Sequence, residues 1–360
     1  MFNYLKGFYQ RHKKKIITTG VLAVGTYAIS KYVQWKYEEW EKEKVKEFTS
    51  FTKKQYHFES NQRTCTMTFF SFLPEMRNTI AEHLDTETLL EALRSKPSNK
   101  LEIWEQLKIL SITRVICSVI CSVTLLVILK VQLNVVGGYI FVQTSEKDES
   151  TLSSEMSETQ LNYMNNVRHF VLQCIPNLIQ DCLKLVQAKF QDLSLKEKLS
   201  HQRLRELLDE VMSELKGDAT KEKHHLSKYM IDENFPKNEQ TDEMYKKMTT
   251  ETISLFESKD CSMVLNQCLD SSFDYVMDSL LDHFLGNEDP EAVVSLDNCV
   301  KSSFYKQIEL PIAKIIPLLN RQLDEIFRAD SNGMLDVLFS QPHLRDFSSN
   351  IYEAFSKKYD

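Results

Sequence analysis

Residues capable of covalent or metal chemistry are present in this chain, but their spacing does not assemble them. The nine histidines are scattered, with one adjacent pair, His224-His225. Neighbouring residues on a helix point about 100° apart, and no further His or carboxylate pair joins them at helical spacing, so no metal site is expected. Eight cysteines, at 65, 117, 121, 174, 182, 261, 268 and 299, contain no C-x-x-C pair and mostly fall inside apolar helical patterns. They read as small core residues of a reducing compartment, not as zinc ligands or a disulfide frame. The sequence has no G-x-S-x-G, no phosphate-binding loop, no dinucleotide glycine fingerprint and no H-E-x-x-H. Carboxylates alternate with lysines on helix faces, where solvent accounts for them. The expectation is therefore a protein that is not an enzyme and needs no cofactor. Binding is what remains.

Two side chains have the right type for binding. Trp104 lies in the amphipathic run KLEIWEQLK, where Leu101, Trp104 and Leu107 alternate with Lys100, Glu102, Glu105 and Lys108. A Trp there either packs in the core or anchors a partner helix, because it offers a large apolar contact at low entropic cost. Lys314 stands between Ala313 and Ile315 in LPIAKIIPLLN. It either lays its stem along the core or stands as a cation at the rim of a groove facing an acidic partner.

The element that positions Trp104 is the longest apolar tract, 97–142. Pro97 and Ser98 or Asn99 supply its entry, and Glu102 follows Asn99 at capping-box spacing. Gly137-Gly138 is its expected end, with GGYIFV at 137–142 the one strand-like run. From Val115 to Leu129 there is no charge. These residues reach about 22 Å as a helix, short of the ~30 Å hydrocarbon layer. Neither flank carries a dense basic cluster. The tract is expected to be a buried central helix, not a second span, with Cys117, Ser118, Cys121 and Ser122 permitting close helix approach.

A membrane segment is expected at the start. Arg11, Lys13, Lys14 and Lys15 precede IITTGVLAVGTYAIS, and Tyr32, Trp35, Tyr37 and Trp40 follow. Basic run, apolar tract and aromatic belt are the parts of a signal anchor. Tyr27 and Ile29 interrupt the small residues that a cleaved signal would need. Beyond it, Val45, Phe48, Phe51 and Phe58 form a thin apolar face on a charged helix. Only eight Gly and eight Pro in 360 residues argue against an all-β fold, and a net charge of −7 does not suggest nucleic acid.

The fold class expected is all-α: a single large helical bundle around a long central apolar helix, preceded by an N-terminal transmembrane anchor. Its divisions are a basic segment 1–15, an anchor 16–33 and a helical domain 34–360. Helical pattern over 64–94 is expected to break at Pro74. Further helices are expected at 159–190 with a kink at Pro176, then at 195–215, 243–257 and 260–285, after Pro311 and Pro317, and at 343–357. Mobile loops are expected near 143–158, 216–242 and 286–300 (QTSEKDESTLSSEMSE is the most polar).

QYHFESNQRTC (55–65), KPSNKLEIWEQLKI (96–109), LKVQLNVVGGYIF (129–141), LPIAKIIPLLN (310–320) and NIYEAFS (350–356), after the basic N-terminal run, together resemble the peroxisomal biogenesis factor 3, or peroxin-3, family. That resemblance implies a docking receptor on the peroxisomal membrane, single-pass, with its large domain facing the cytosol. It implies a partner, peroxisomal biogenesis factor 19, the soluble carrier of newly made membrane proteins, which inserts an amphipathic helix into an apolar groove. The groove positions it implies are Leu93, Lys100, Trp104, Leu107 and Lys314, with Arg11, Lys13, Lys14 and Lys15 in the targeting signal. The positive-inside rule would put the N-terminus in the cytosol; the resemblance puts it in the organelle matrix. The rule describes translocon insertion, so a different route to the membrane reconciles the two; transit through the endoplasmic reticulum is a further localisation the resemblance leaves open. The residues alone leave open an organelle tether or a lipid-binding helical module.

Overall fold

The computed structural model describes residues 2–146, 163–217, 226–230, 243–285, 308–328 and 333–357. The chain forms two compact units, Met1–His57 and Phe58–Asp360. Helix α1, Phe2–His83, begins in the first. Within that unit Trp35, Trp40, Phe48 and Phe51 are exposed, and the Lys44 ammonium sits 3.9 Å above the Trp40 ring. The basic run 11–15 and the expected anchor, 16–33, belong to this helix.

In the second unit α1 continues through Pro74, where a break was expected. The helix survives because Cys65, Phe69, Leu73, Met76, Ile80 and Leu84 form a continuous buried stripe. Six such side chains at roughly 1.5–3 kcal/mol each outweigh the ~3 kcal/mol of an interior proline. Helix α2, Glu87–Arg94, follows, and then α3, Lys100–Glu146. Every residue from Ser111 to Gly138 is buried. The 100–144 segment is apolar and long enough to cross a membrane, yet it is enclosed by protein. The central helix is therefore core, as its flanks suggested.

Gly137 and Gly138 do not end α3. They let it pass close neighbours: a Cβ on Gly138 would lie 2.6 Å from Phe355 Cβ and 2.7 Å from its carbonyl carbon. One on Gly137 would meet Asn61 Nδ2 at 2.9 Å. The strand-like GGYIFV is accordingly helical. Asn61 also donates to the Leu133 carbonyl at 2.9 Å and to Asn134 Oδ1 at 3.0 Å, and Gln62 donates to the same Oδ1. This network satisfies amides that would otherwise be costly in so apolar an interior.

The rest of the chain wraps α3. Helix over 163–190 includes a π-helical turn at Phe170–Cys174, followed by α4, Ile175–Phe190. The Ile175 N–H reaches back five residues to Phe170, and Pro176 next to it has no N–H to give. Where a kink was expected at Pro176, the structure has a π-helical turn just upstream. Strand β1, Lys198–Ser200, pairs antiparallel with β2, Glu309–Pro311, Leu199 opposite Leu310. The helix expected from 195 consequently starts only at α5, His201–Lys216, where Ser200 caps it by accepting from the Arg203 N–H at 3.2 Å.

Inside the polar 216–242 segment the structure places a short helix, α6, Ser227–Met230, where only loop was expected. Leu226, Tyr229 and Met230 are buried, and the Tyr229 hydroxyl donates to Asp181 Oδ2 at 2.6 Å. That bond, with Lys228 and Lys184, holds the Asp181 carboxyl at about 2. His224-His225, 147–158 and 286–300 lie outside the described residues. Helices α7, Glu243–Phe256, α8, Lys259–Leu285, α9, Ile312–Ile326, α10, Met334–Phe339, and α11, Pro342–Phe355, complete the bundle. Helices α4, α7, α8, α9 and α11 all pack on α3. The seven described cysteines are buried thiols; burial pushes Cys65 up to about 11 and raises Cys117 and Cys121.

Candidate partner-binding site

The residues singled out at 93–107 and 314 stand on three elements. Leu93 is in the last turn of α2, Lys100 and Trp104 in the first turns of α3, and Lys314 in the first turn of α9. The turn between α2 and α3 is held by the Ser95 and Lys96 N–H groups donating to Ala92 and Leu93 carbonyls. Lys96 takes a left-handed φ of 52°. Asn99 does not form the expected capping box; its side-chain amide faces Glu102 Oε2 at 3.5 Å. The base of α2 is fixed from α3, where the buried Arg114 bonds to Thr86 Oγ1 and lies 3.9 Å from Glu87.

Helix α9 is drawn to the same end of α3 by the segment 191–197. Pro311 offers no side-chain cap, so the first N–H groups of α9 need other acceptors. The Ile312 N–H donates to the Glu197 carbonyl at 3.0 Å and the Ala313 N–H to the Leu195 carbonyl at 3.1 Å. The same segment is tied to α3 by Lys108. Its ammonium is wholly buried, donates to the Leu193 carbonyl at 2.6 Å and pairs with Glu105 at 2.6 Å. One helical turn on, Ser111 Oγ meets Asn320 Oδ1 at 2.9 Å. The two helices therefore run side by side in the same direction, with Lys314 toward the Lys108 end.

Exposure divides the candidates. Lys100 and Lys314 are exposed, Leu93 and Trp104 are half-buried against the core, and Leu107 is fully buried. Leu107 thus braces the site from beneath and is not itself open to a partner. Leu101, grouped with Trp104 and Leu107 in the sequence pattern but not named as a groove residue, is 69% exposed beside Lys100. Its signal was present: Leu101 lies one turn before Glu105 and off the Ile103–Leu107 face that turns inward. The side chains of Arg11, Lys13, Lys14 and Lys15 lie outside the described set. Among the described residues no cluster of three His, Cys, Asp or Glu could hold a metal. Leu101 and Trp104 thus offer apolar surface at the start of α3, with Lys100 exposed beside them and Lys314 exposed on the first turn of α9.

Comparison with known proteins agrees in its extent. The Peroxin-3 family model matches residues 7–100, 95–171 and 173–354. Peroxisomal biogenesis factor 3 of Mus musculus is 36% identical over 371 residues, covering 99% of this chain and 97% of the mouse protein. The protein of the same name from Homo sapiens is 34% identical, covering 99% and 98%. Peroxisome biogenesis protein 3-2 of Arabidopsis thaliana is 21% identical with coverage of 97% and 98%. Matches of this length, running through the N-terminal helix, the central helix and the last helix alike, establish that the chain belongs to the Peroxin-3 family of peroxisome biogenesis factors.

Proposed function

We propose that this protein is a docking receptor on the peroxisomal membrane. It receives peroxisomal biogenesis factor 19 by binding an amphipathic helix of that carrier across the opening of α3. The observation that carries this reading is the half-buried Trp104 with exposed Leu101, flanked by Lys100 on one element and Lys314 on another. An amphipathic helix presents the complementary surface: apolar residues at i, i+3, i+4 and i+7 for Trp104, Leu101 and Leu93, and carboxylates for the two lysines. Anchoring through 16–33 leaves the bundle in the cytosol, where a soluble carrier meets it.

The test is titration of a labelled carrier helix against the full chain in detergent micelles. Trp104→Ala should weaken binding about 30-fold, the equivalent of ~2 kcal/mol for a central aromatic anchor. Lys314→Glu should weaken it by an amount that shrinks as salt rises. Unchanged affinity in both variants removes the site. Protease added outside intact organelles should digest the chain from about residue 41 onward; protection of the bundle would reverse the proposed orientation.

A further inference from the structure

A cavity of about 350 Å³ lies between α8 and the second half of α9, away from Lys314 on the first turn. Unlike the interior around α3, its wall mixes polar groups with Val276, Ile326 and Met334. Its wall includes the buried Gln322, whose Oε1 is 3.2 Å from Ser279 Oγ. These two neutral groups are bonded to each other across the helix pair, and Ser279 Oγ is also 2.9 Å from the Val276 carbonyl. A ligand hydroxyl would therefore be met by the Gln322 amide N–H groups and a lone pair of the Ser279 oxygen. Glu325 also lines the cavity, but its carboxylate is taken by Arg328 in a two-point fork at 2.9 and 3.1 Å. That leaves Arg321 and His283, which line the cavity and make no hydrogen bond or ion pair among the described residues. The pocket thus carries the paired Glu325 and Arg328, one uncommitted guanidinium, one uncommitted imidazole and a wall part polar and part apolar.

A guanidinium fork matches phosphate geometry through two parallel N–H donors. The His283 imidazole on the facing helix supplies a further donor, and the amide–hydroxyl pair suits a ligand that carries its own hydroxyls. The volume is at the small end of ligand sites, enough for a six-carbon ring with one phosphate and too small for a peptide. We propose that this cavity binds a phosphorylated polyol, with Arg321 and His283 holding the phosphate and Gln322 and Ser279 the hydroxyls. The same chemistry is offered by a free sugar or inositol phosphate and by an inositol lipid headgroup.

The test uses the full chain in detergent micelles, titrated calorimetrically with inositol 1-phosphate, and with inositol and inorganic phosphate as comparison probes. Saturable one-to-one binding of the ester is expected, at least tenfold tighter than either comparison probe. Arg321 is exposed, so Arg321→Gln should leave the melting temperature unchanged and weaken the ester at least tenfold. Ser279→Ala should weaken the ester while leaving inorganic phosphate unaffected. Displacement of the ester by a water-soluble short-chain phosphatidylinositol 4-phosphate would support the site with a lipid headgroup as its source. Failure of that lipid to compete, with ester binding intact, would support it with a free metabolite. No ester binding at millimolar concentration, equal binding by Arg321→Gln, or inorganic phosphate binding as well as the ester would each overturn the proposal.

Discussion

His201 is neutral in the fold for a reason that also sets how the bundle responds to acid. Its Nε2 donates to the Met277 carbonyl at 2.8 Å, its ring lies edge-on to Phe284, and burial lowers its pKa. A base with a depressed folded pKa stabilises the fold above its unfolded value, near 6.5, and that contribution is lost as pH falls. Melting temperature should therefore drop between pH 7.5 and 5.5, and drop less in His201→Gln; equal slopes would remove His201 as a source. Trp104 permits a similar separation. A core Trp cut to Ala costs ~3–5 kcal/mol of stability, whereas a half-buried anchor should lose binding with a smaller change in melting temperature. Lys96 is a third case. Its φ of 52° costs roughly 1–2 kcal/mol for a residue with a Cβ, so Lys96→Gly should raise stability slightly, by about 0.5 kcal/mol after the entropic cost of glycine. A drop of 1 kcal/mol or more in denaturant unfolding would contradict this.

At the scale of elements, the two glycines in α3 make predictions of different size. In an unobstructed helix either Gly→Ala change gains about 1 kcal/mol. At Gly138 the new Cβ would fall 2.7 Å from the backbone of Phe355, and α11 must move to admit it. Gly138→Ala should cost ~1–3 kcal/mol, read as a lowered melting temperature. Gly137→Ala meets the Asn61 side chain, which can rotate at the expense of its bonds to Leu133 and Asn134, so it should cost less. The reverse order would show that α11 does not clamp α3. Sequence reading took these glycines as a terminus because glycine's freedom at a helix end and its small size at a crossing look alike in one chain.

For the whole molecule, the decisive feature is a central helix apolar enough to span a membrane but enclosed by its neighbours. Removing residues 1–40 should therefore yield a soluble, monodisperse, helical protein. Persistent detergent dependence of that shortened chain would mean that α3 meets lipid. The short helix α6 belongs to the same closure: Leu226, Tyr229 and Met230 fill the bundle beside α4. Tyr229→Phe should remove the main bond that depresses Asp181. Asp181 stabilises the fold above the ordinary carboxylate range, and this contribution fades as pH falls from about 4 toward 2. The variant should show a shallower acid transition in that window.

Periodicity in the sequence determined the all-α class, and the charge-free tract with its bare flanks determined the place of α3 at the centre, since each depends on residues close in the chain. The same local reading located Trp104 on an amphipathic turn. It did not distinguish Leu107 from Leu101, because which side of that turn faces inward depends on where α9 and the 191–197 segment pack. It did not foresee β1 and β2 either: each is three residues long, and they pair across more than a hundred residues of chain. Pro74 stayed helical and Gly138 stayed mid-helix because distant side chains supplied burial and close contact exceeding what either residue loses locally. Tertiary structure decided those points, since the energy of a crossing belongs to both helices and is written in neither alone.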